Sequence, residues 1–499
     1  MNEIADTLRR IAVTKKKPLC FILDFKETDD KISAHFYDTT SLELIKKIEE
    51  SQHVTTLDGL SESVRYSDGK WELRTTDYVP KEYPNSVLLL QSSNLRSDGY
   101  LDLETGGEKY ISSELHKKWK HSQVKTGNIV LAITGVIIGV ASLIPENFPE
   151  ANLSQALGYV VLKKNLELNG RLIEISPEYI LTYLNSKFGK TQFLRYGGFR
   201  AQHCGLSTRE VKSVLVPLFD EKVQNNIVEQ TKKHRFSAYS YEKALLEKTE
   251  DMTLLLERVL EEPMPRHSQH IFACYPEGDR IDCLCNSPDI QNLNAYLLNL
   301  EAEGKITLVK PEDLLAKDRD ITKKIYNKNE IGLFKYVDIE NVDKNVGIVE
   351  GFTEDFLLKL PTRARQFIRE NDVLIPTPIG STKGVCIVPK EFEGQICSTG
   401  FLVISTESLD EALFYYAVFK SNIVQKQFYH FQSGCVQPSI SYEMFIKKMK
   451  IPVPKGSWKE TFQVQAKQSR NELLQLRESY ASELEKARET FETLVLGAL

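Results

Sequence analysis

The sequence predicts a mixed α/β (α+β) chain in which two tandem globular domains alternate with two long helices. Three observations lead there. Six stretches recur in the same order along the chain. Inside each repeat, β-branched runs punctuated by glycine or proline alternate with helix-like stretches. Each repeat then closes in a charged segment with a narrow apolar stripe. The expected layout is a domain over residues 1–220, a helix over 221–264, a second domain over 265–456 and a final helix over 457–499. Each globular half has an ordinary domain size of about 200 residues.

The repeat opens with "DDKISAHFYDTTS" (29–41) against "GDRIDCLCNSPD" (278–289), then "IEESQHVTTL" (48–57) against "LEAEGKITLV" (300–309). Next comes "GNIVLAITGVIIGVASLIP" (127–145) against "NDVLIPTPIGSTKGVCIVP" (371–389). The first of these holds an uncharged run over 129–144, shorter than the roughly 18 to 20 apolar residues a helix needs to cross a bilayer. Ile129, Val130, Ile133, Thr134, Val136, Ile137, Ile138 and Val140 are β-branched, and Gly135 and Gly139 sit where a chain turns or bulges. Its counterpart is broken by prolines, a serine and a lysine. Two short buried strands in each half are therefore predicted, and no membrane span.

Further on, "EYILTYLNSKFGKTQFLRYGG" (178–198) matches "EALFYYAVFKSNIVQKQFYHFQSG" (411–434). Gln202 with "LSTREVKSVLVP" (206–217) matches Gln437 with "ISYEMFIKKMKIPVP" (440–454). The offset drifts only from about 252 to about 233 residues, which chance does not produce in six ordered matches.

After each repeat a helix of roughly ten turns is predicted. In Lys222–Glu262 the stripe is Ala238, Tyr241, Leu245, Met252, Leu255 and Val259, interrupted by Lys248. In the C-terminal segment it is Leu473, Tyr480, Leu484, Ala487, Phe491 and Leu494, interrupted by Arg477. Narrow stripes between charged flanks suit a coiled-coil seam, and the alternative is that each face packs on its own domain.

The N-terminus "MNEIADTLRR" has no apolar core, so a cytoplasmic protein is expected. Eight cysteines (Cys20, Cys204, Cys274, Cys283, Cys285, Cys386, Cys397, Cys435) show no matched spacing, which suits buried thiols in a reducing compartment. A net charge of -5 opposes general polyanion binding, yet the charge is uneven. Lys187, Lys190, Arg195, Arg200, Arg209 and Lys212 face one acid, Glu210. The second half has Lys420, Lys426, Lys447, Lys448 and Lys450 against Glu443, with Arg363, Arg365 and Arg369 upstream. Two basic patches balanced by acidic helices suit DNA held at two places, and a solvated mixed-charge surface is the alternative.

Catalytic motifs are missing. The Asp/Asn-Pro-Pro-aromatic loop of amino-methyltransferases does not occur, nor does a Gly-Lys-Ser/Thr phosphate loop, and "TGVIIGV" lacks the third glycine of a dinucleotide fingerprint. Pro288-Asp289 with Glu303-Gly304-Lys305 loosely matches a nuclease carboxylate set, without a counterpart in the first half. "HSQH" (267–270) with Cys274 has zinc-like spacing but no second ligand pair.

Taken in order, each half has Lys31-Ile32 or Arg280-Ile281 near its start and the strand pair opening "NIVL" or "NDVL". A Tyr…Ser…Gln-Phe helix follows, then a Gly…Gln…Leu/Ile-Ser loop and a Val/Ile-Pro strand entering a long helix. This order resembles the specificity subunit of type I restriction-modification systems, over nearly the whole chain from about residue 29. No single motif is specific; the order, the duplication and the alternation with long helices are. The first half departs from the pattern, with Lys31-Ile32-Ser33 where Arg280-Ile281-Asp282 keeps the usual Arg-hydrophobic-Asp, and with Arg200 and His203 to Gly205 crowding the glutamine loop.

The resemblance implies two target-recognition domains that each read half of a split double-stranded DNA target, and two helices paired antiparallel as a coiled-coil spacer. It implies docking of two methyltransferase subunits and of restriction/translocase subunits. The methyl donor and ATP would bind those partners, so no cofactor is expected here, and no enzymatic activity of this chain alone. A helix of about 35 residues spans about 50 Å, so half-site centres are expected within about one and a half DNA turns, with a spacer fixed in length but free in sequence.

Halves that read different sequences cannot discriminate with shared residues. Gly197, Gly198 and Gln202, with Gly434 and Gln437, are therefore expected to shape a loop near the DNA backbone, or simply a turn. Base readout is expected where the halves differ: Arg65, Lys70, Arg74, Lys117, Lys118, Lys120 and His121 in the first, Arg319, Lys323, Lys324, Lys328, Arg363, Arg365 and Arg369 in the second. Lys187, Lys190, Arg195, Arg200 and Lys426 complete the candidate DNA contacts. Two rival readings remain: the recognition subunit of a related system such as type IIB, and a helical scaffold that binds protein.

Overall fold

Serine punctuates both halves at matching places. Ser176 and Ser408 cap helices Pro177–Asn185 and Leu409–Lys420, their hydroxyls accepting from the N–H groups of Tyr179 and Glu411. Ser186 and Ser421 end those helices, each hydroxyl donating 2.6 Å to the carbonyl three residues earlier, and a second helix starts at once in each half, Lys187–Gly197 and Asn422–His430. Ser207 and Ser441 cap the short helices Thr208–Lys212 and Tyr442–Lys448. The duplication read from the sequence thus extends to individual hydrogen bonds.

The computed structural model describes residues 39–51, 53–67, 77–103, 107–135, 137–168, 170–197, 205–265, 284–317, 333–434 and 438–499. It divides into one unit of Met1–Ala238 with Ser482–Leu499, and a second of Tyr239–Ala481. Helices and several small sheets are mixed throughout, as expected.

In the first unit, Val54–Thr56 pairs antiparallel with Leu215–Pro217, joining the start of the half to its end. A four-stranded antiparallel sheet runs in the order Ser61–Tyr66, Leu157–Leu162, Ile129–Ala132, Ala141–Leu143. A five-stranded sheet runs Tyr78–Val79, Tyr110–Ile111, Val87–Leu90, Ala151–Leu153, Gln123–Val124, with Val87–Leu90 parallel to Ala151–Leu153. The apolar run at 129–144 is therefore a pair of short strands. Gly135 and Gly139, at φ of 92° and 82°, allow the turn between them. No helix among the described residues is long and apolar enough to cross a membrane.

The second unit repeats the plan. Ile306–Val309 pairs antiparallel with Ile451–Pro454. Val373–Pro376 lies between Cys386–Ile387 and Phe401–Ile404. A four-stranded sheet runs Thr353–Phe356, Leu333–Val337, Ile396–Ser398, Ala364–Phe367, with its central pair parallel.

The Gln-Phe motif of each half is structural. Gln192 donates 2.9 Å to the carbonyl of Leu215 and accepts 2.7 Å from its N–H. Gln427 makes the same pair of bonds with Lys450, at 2.9 and 2.7 Å. Both amides are buried, and each satisfies the backbone at the entry to the closing strand. Phe193 and Phe428 fill the adjoining cores.

The long helices are Glu221–Thr253, with a further turn and a half at Leu255–Leu260, and Gly456–Ala498, of 33, 6 and 43 residues. Each begins in one unit and ends in the other. Of the first predicted stripe, Ala238, Leu245, Met252, Leu255 and Val259 are buried, whereas Tyr241 is 37% exposed. Leu245, Met252, Leu255 and Val259 join one core with Phe462, Ala466, Leu473 and the second half's Tyr416 and Phe419. In the second stripe Leu473, Ala487 and Phe491 are buried. Val495, rather than Leu494, takes the last buried place, because Phe491 and Val495 turn together into the first unit's core. Packing on a globular core therefore accounts for much of both stripes, the alternative the sequence had left open.

Candidate nucleic-acid interface

Exposed basic side chains gather where the first half's backbone is anchored from below. The helix Ser113–Lys118, capped by Ser112, runs into the turn Lys120–Ser122. Between them Trp119 is 3% exposed, and its carbonyl accepts 3.0 Å from Nδ2 of buried Asn152. That anchor leaves Lys117, Lys118, Lys120 and His121 all exposed on one knuckle. Arg65 is exposed on Ser61–Tyr66, an edge strand of its sheet.

The basic window near the end of the first half is divided by its surroundings. Lys187 is exposed and Arg195 half-buried. At Lys190, burial and then the neighbouring Arg488 guanidinium hold the ammonium below the usual lysine range. Lys212 pairs with Asp58 at 3.0 Å, at a surface hollow lined by Thr56, Asp58, Thr208, Arg209, Lys212 and Ser213.

Its counterpart in the second half is divided in the same way, with Lys447 and Lys448 exposed and the other three lysines held by partners. Lys420 is 2% exposed, Lys426 pairs with Asp289 at 3.2 Å, Lys447 pairs with Glu443 at 2.6 Å, and Lys450 donates 3.0 Å to Asn294. A further cationic surface lies upstream. Arg363, Arg365 and Arg369 are exposed on and beside the edge strand Ala364–Phe367. Arg363 is paired with Asp338 at 2.8 Å, and Nε of Arg365 donates 2.7 Å to the carbonyl of Thr362. Lys70, Arg74, Arg200, Gln202, Arg319, Lys323, Lys324, Lys328 and Gln437 lie outside the described residues, as does "HSQH" with Cys274.

A second feature went unread in the sequence. Lys335 lies over the rings of Phe352 and Phe392, at 4.9 and 5.3 Å, and Lys359 over Phe356 at 5.6 Å, while Phe352 and Phe356 remain 45% and 41% exposed. In the first half Lys109 and Lys81 sit over Tyr78 and Tyr110, at 5.0 and 5.7 Å. These are single lysines beside single aromatics, so a search for runs of charge passes over them.

Nothing among the described residues assembles into a reaction centre. Asp289 and Glu303 stand at opposite ends of helix Pro288–Ala302, about 20 Å apart along its axis, so they cannot share a metal. No group of three or more His, Cys, Asp or Glu that could hold a metal occurs among the described residues. Cys386 and Cys397 are buried, and burial pushes the Cys386 thiol up to about 12, away from nucleophilic use. The arrangement suits the holding of a polyanion at two places.

Comparison with known proteins finds no matching family model and no matching curated sequence. Among solved structures the chain is similar to the S subunit of a type I restriction-modification system from M. genitalium. The identity is 13% and the TM-score 0.38, over 88% of this chain and 95% of that one. A structure described as showing complex assembly and conformational transition of the type I R-M system aligns at 14% identity and a TM-score of 0.36, over 88% and 96%. The HsdS subunit from Thermoanaerobacter tengcongensis aligns at 15% identity and a TM-score of 0.31, over 89% and 97%.

Proposed function

We propose that this chain is the non-catalytic DNA-recognition subunit of a type I restriction-modification complex in the cytoplasm. It reads a two-part double-stranded DNA target. Two methyltransferase subunits and the restriction/translocase subunits, directed by it, carry out adenine-N6 methylation or cleavage. The observation that carries this reading is the repetition itself. Two halves share strands, caps and buried glutamine locks, yet present different exposed cations, which suits a target of two unlike half-sites.

Helix contacts within each unit support an antiparallel spacer. In one, Nδ1 of His234 lies 2.8 Å from Glu483, and in the other Lys248 pairs with Glu472, so numbering falls along one helix as it rises along the other. Lys117, Lys118, Lys120, His121 and Arg65 are the candidate contacts of the first half, and Arg363, Arg365 and Arg369 those of the second. Lys335 and Lys359, beside exposed rings, join them. Methyl donor and ATP belong to the partners in this reading.

The test is long-read mapping of N6-methyladenine in the native genome with and without the gene. Loss of methylation from one bipartite motif on both strands is expected. An unchanged methylation map would instead favour the protein-binding scaffold.

A further inference from the structure

Each long helix carries one arginine fourteen residues after its first residue, Arg235 in Glu221–Thr253 and Arg470 in Gly456–Ala498. Both reach a backbone carbonyl in the same loop of their own half. Arg235 donates through Nη2 to the carbonyl of Asp98 and through Nη1, at 3.0 Å, to Oγ1 of Thr182. Arg470 donates through Nη2, at 3.0 Å, to the carbonyl of Gly347.

The two loops are counterparts. Each follows a strand that pairs parallel inside its sheet, and each opens with a 3₁₀ turn closed by asparagine, Ser92–Asn94 and Ile339–Asn341. Oδ1 of Asn94 accepts from the N–H of Gln91 and Oδ1 of Asn341 from that of Asp338, at 2.8 and 2.9 Å. The asparagine carbonyls accept from the N–H groups of Asp102 and Glu350.

Each loop has a glycine at the contact in the left-handed region, Gly99 at φ 90° and Gly347 at φ 62°. A Cβ on Gly99 would come within 2.7 Å of Nη2 of Arg235, and one on Gly347 would overlap the carbonyl of Val385. Each guanidinium also lies over a tyrosine, Arg235 over Tyr100 at 5.4 Å and Arg470 over Tyr416 at 4.7 Å.

The second half adds to the grip. Arg477, two turns further along, pairs with Asp343 at 3.3 Å and with Glu350. The hydroxyl of Tyr416 donates to the carbonyl of Val346, and Lys420 to those of Lys344 and Asn345. Four successive carbonyls, 344 to 347, are thus held by side chains of two helices.

We propose that Arg235 and Arg470 are positioning residues that fix each reading sheet on its own helix, and so set the length of DNA accepted between the two half-sites. The assignment rests on the DNA-recognition reading above. One inserted base pair moves a half-site by about 3.4 Å and turns it by about 35°, so a reader clamped to its helix rejects it. A reader released from the clamp follows the DNA.

The experiment is selection from random duplex DNA by the full chain, comparing wild type with Arg235→Lys, Arg470→Lys and Arg477→Ala, with melting curves for each. Lysine keeps the charge but not the planar fork. Arg477 is partly exposed, and its alanine variant loosens the second half's grip on the loop while leaving Arg235 and buried Arg470 in place, so it tests that grip even if Arg470→Lys unfolds. Wild type is expected to enrich two half-sites at one spacing. The variants should enrich the same half-sites at two or more neighbouring spacings, with discrimination against one added base pair reduced about tenfold. A single spacing for wild type and folded variants alike would overturn the positioning role and leave the DNA reading intact. No enriched sequence with wild type would overturn both.

Discussion

Two carbonyls and a ring surround the amine of Lys420. Its Nζ donates 2.7 and 2.9 Å to Lys344 and Asn345 and lies 5.3 Å from the ring centre of Tyr416. Burial, and then the Arg470 charge, push this amine down to about 7, against 10.5 for an ordinary lysine. Between those values the unfolded chain binds a proton that the folded chain does not. The stability contributed by this group therefore rises with pH across that window and is lost as the pH falls toward about 7. Denaturation midpoints of wild type and Lys420→Met should diverge in favour of wild type as the pH is raised through the window. Parallel midpoints would mean that the amine carries the same charge folded and unfolded. In the sequence Lys420 belonged to a basic patch. Its removal from that surface depends on a loop some seventy residues away, which no local pattern contains.

Among the elements, the end of the second long helix has a role its heptad stripe did not convey. Phe491 is 1% exposed, its ring centre 6.2 Å from that of Tyr179 and 6.5 Å from that of Tyr183, and Val495 beside it is fully buried. Tyr179 and Tyr183 in turn bind the carbonyls of Pro217 and Leu215 on the closing strand. Phe491→Ala should cost about 3–5 kcal/mol through the cavity it leaves. Hydrogen exchange should quicken over residues 177–197, in the same unit, and remain as in wild type over the matching helices 409–430. Unaltered exchange at 177–197 would show that the helix end is not part of that core. Apolar periodicity marks the buried side of a helix, but a seam and a domain core bury it equally well.

At the scale of the molecule, the duplication makes each half an independent reader under the proposed function. Exchange of residues 310–440 for the corresponding stretch of a specificity subunit with another target should rewrite one half of the methylation motif. The other half and the spacing should be kept. A motif changed on both sides would mean that the halves do not read separately. The spacing is expected to survive where the incoming stretch keeps the glycine loop that the helix holds, because Arg470 and Arg477 stay in place while the counterparts of Asp343, Gly347 and Glu350 are exchanged.

The sequence by itself determined the duplication, the paired short strands in place of a membrane span, the helical Tyr…Gln-Phe stretch of each half, though not its break into two helices at Ser186 and Ser421, and the two long helices. Each of these is written in local order: β-branching, serine and glycine punctuation, and apolar period act over a few residues. Only the tertiary structure decided which charges are presented and which are spent. Lys426 meets Asp289, Lys420 meets the carbonyls of Lys344 and Asn345, and Arg235 and Arg470 meet loop carbonyls more than a hundred residues away. A charge that is buried or tightly held is withdrawn from DNA, whereas an exposed surface pair exchanges at little cost, and the partners of these side chains are brought near by folding, not by sequence spacing.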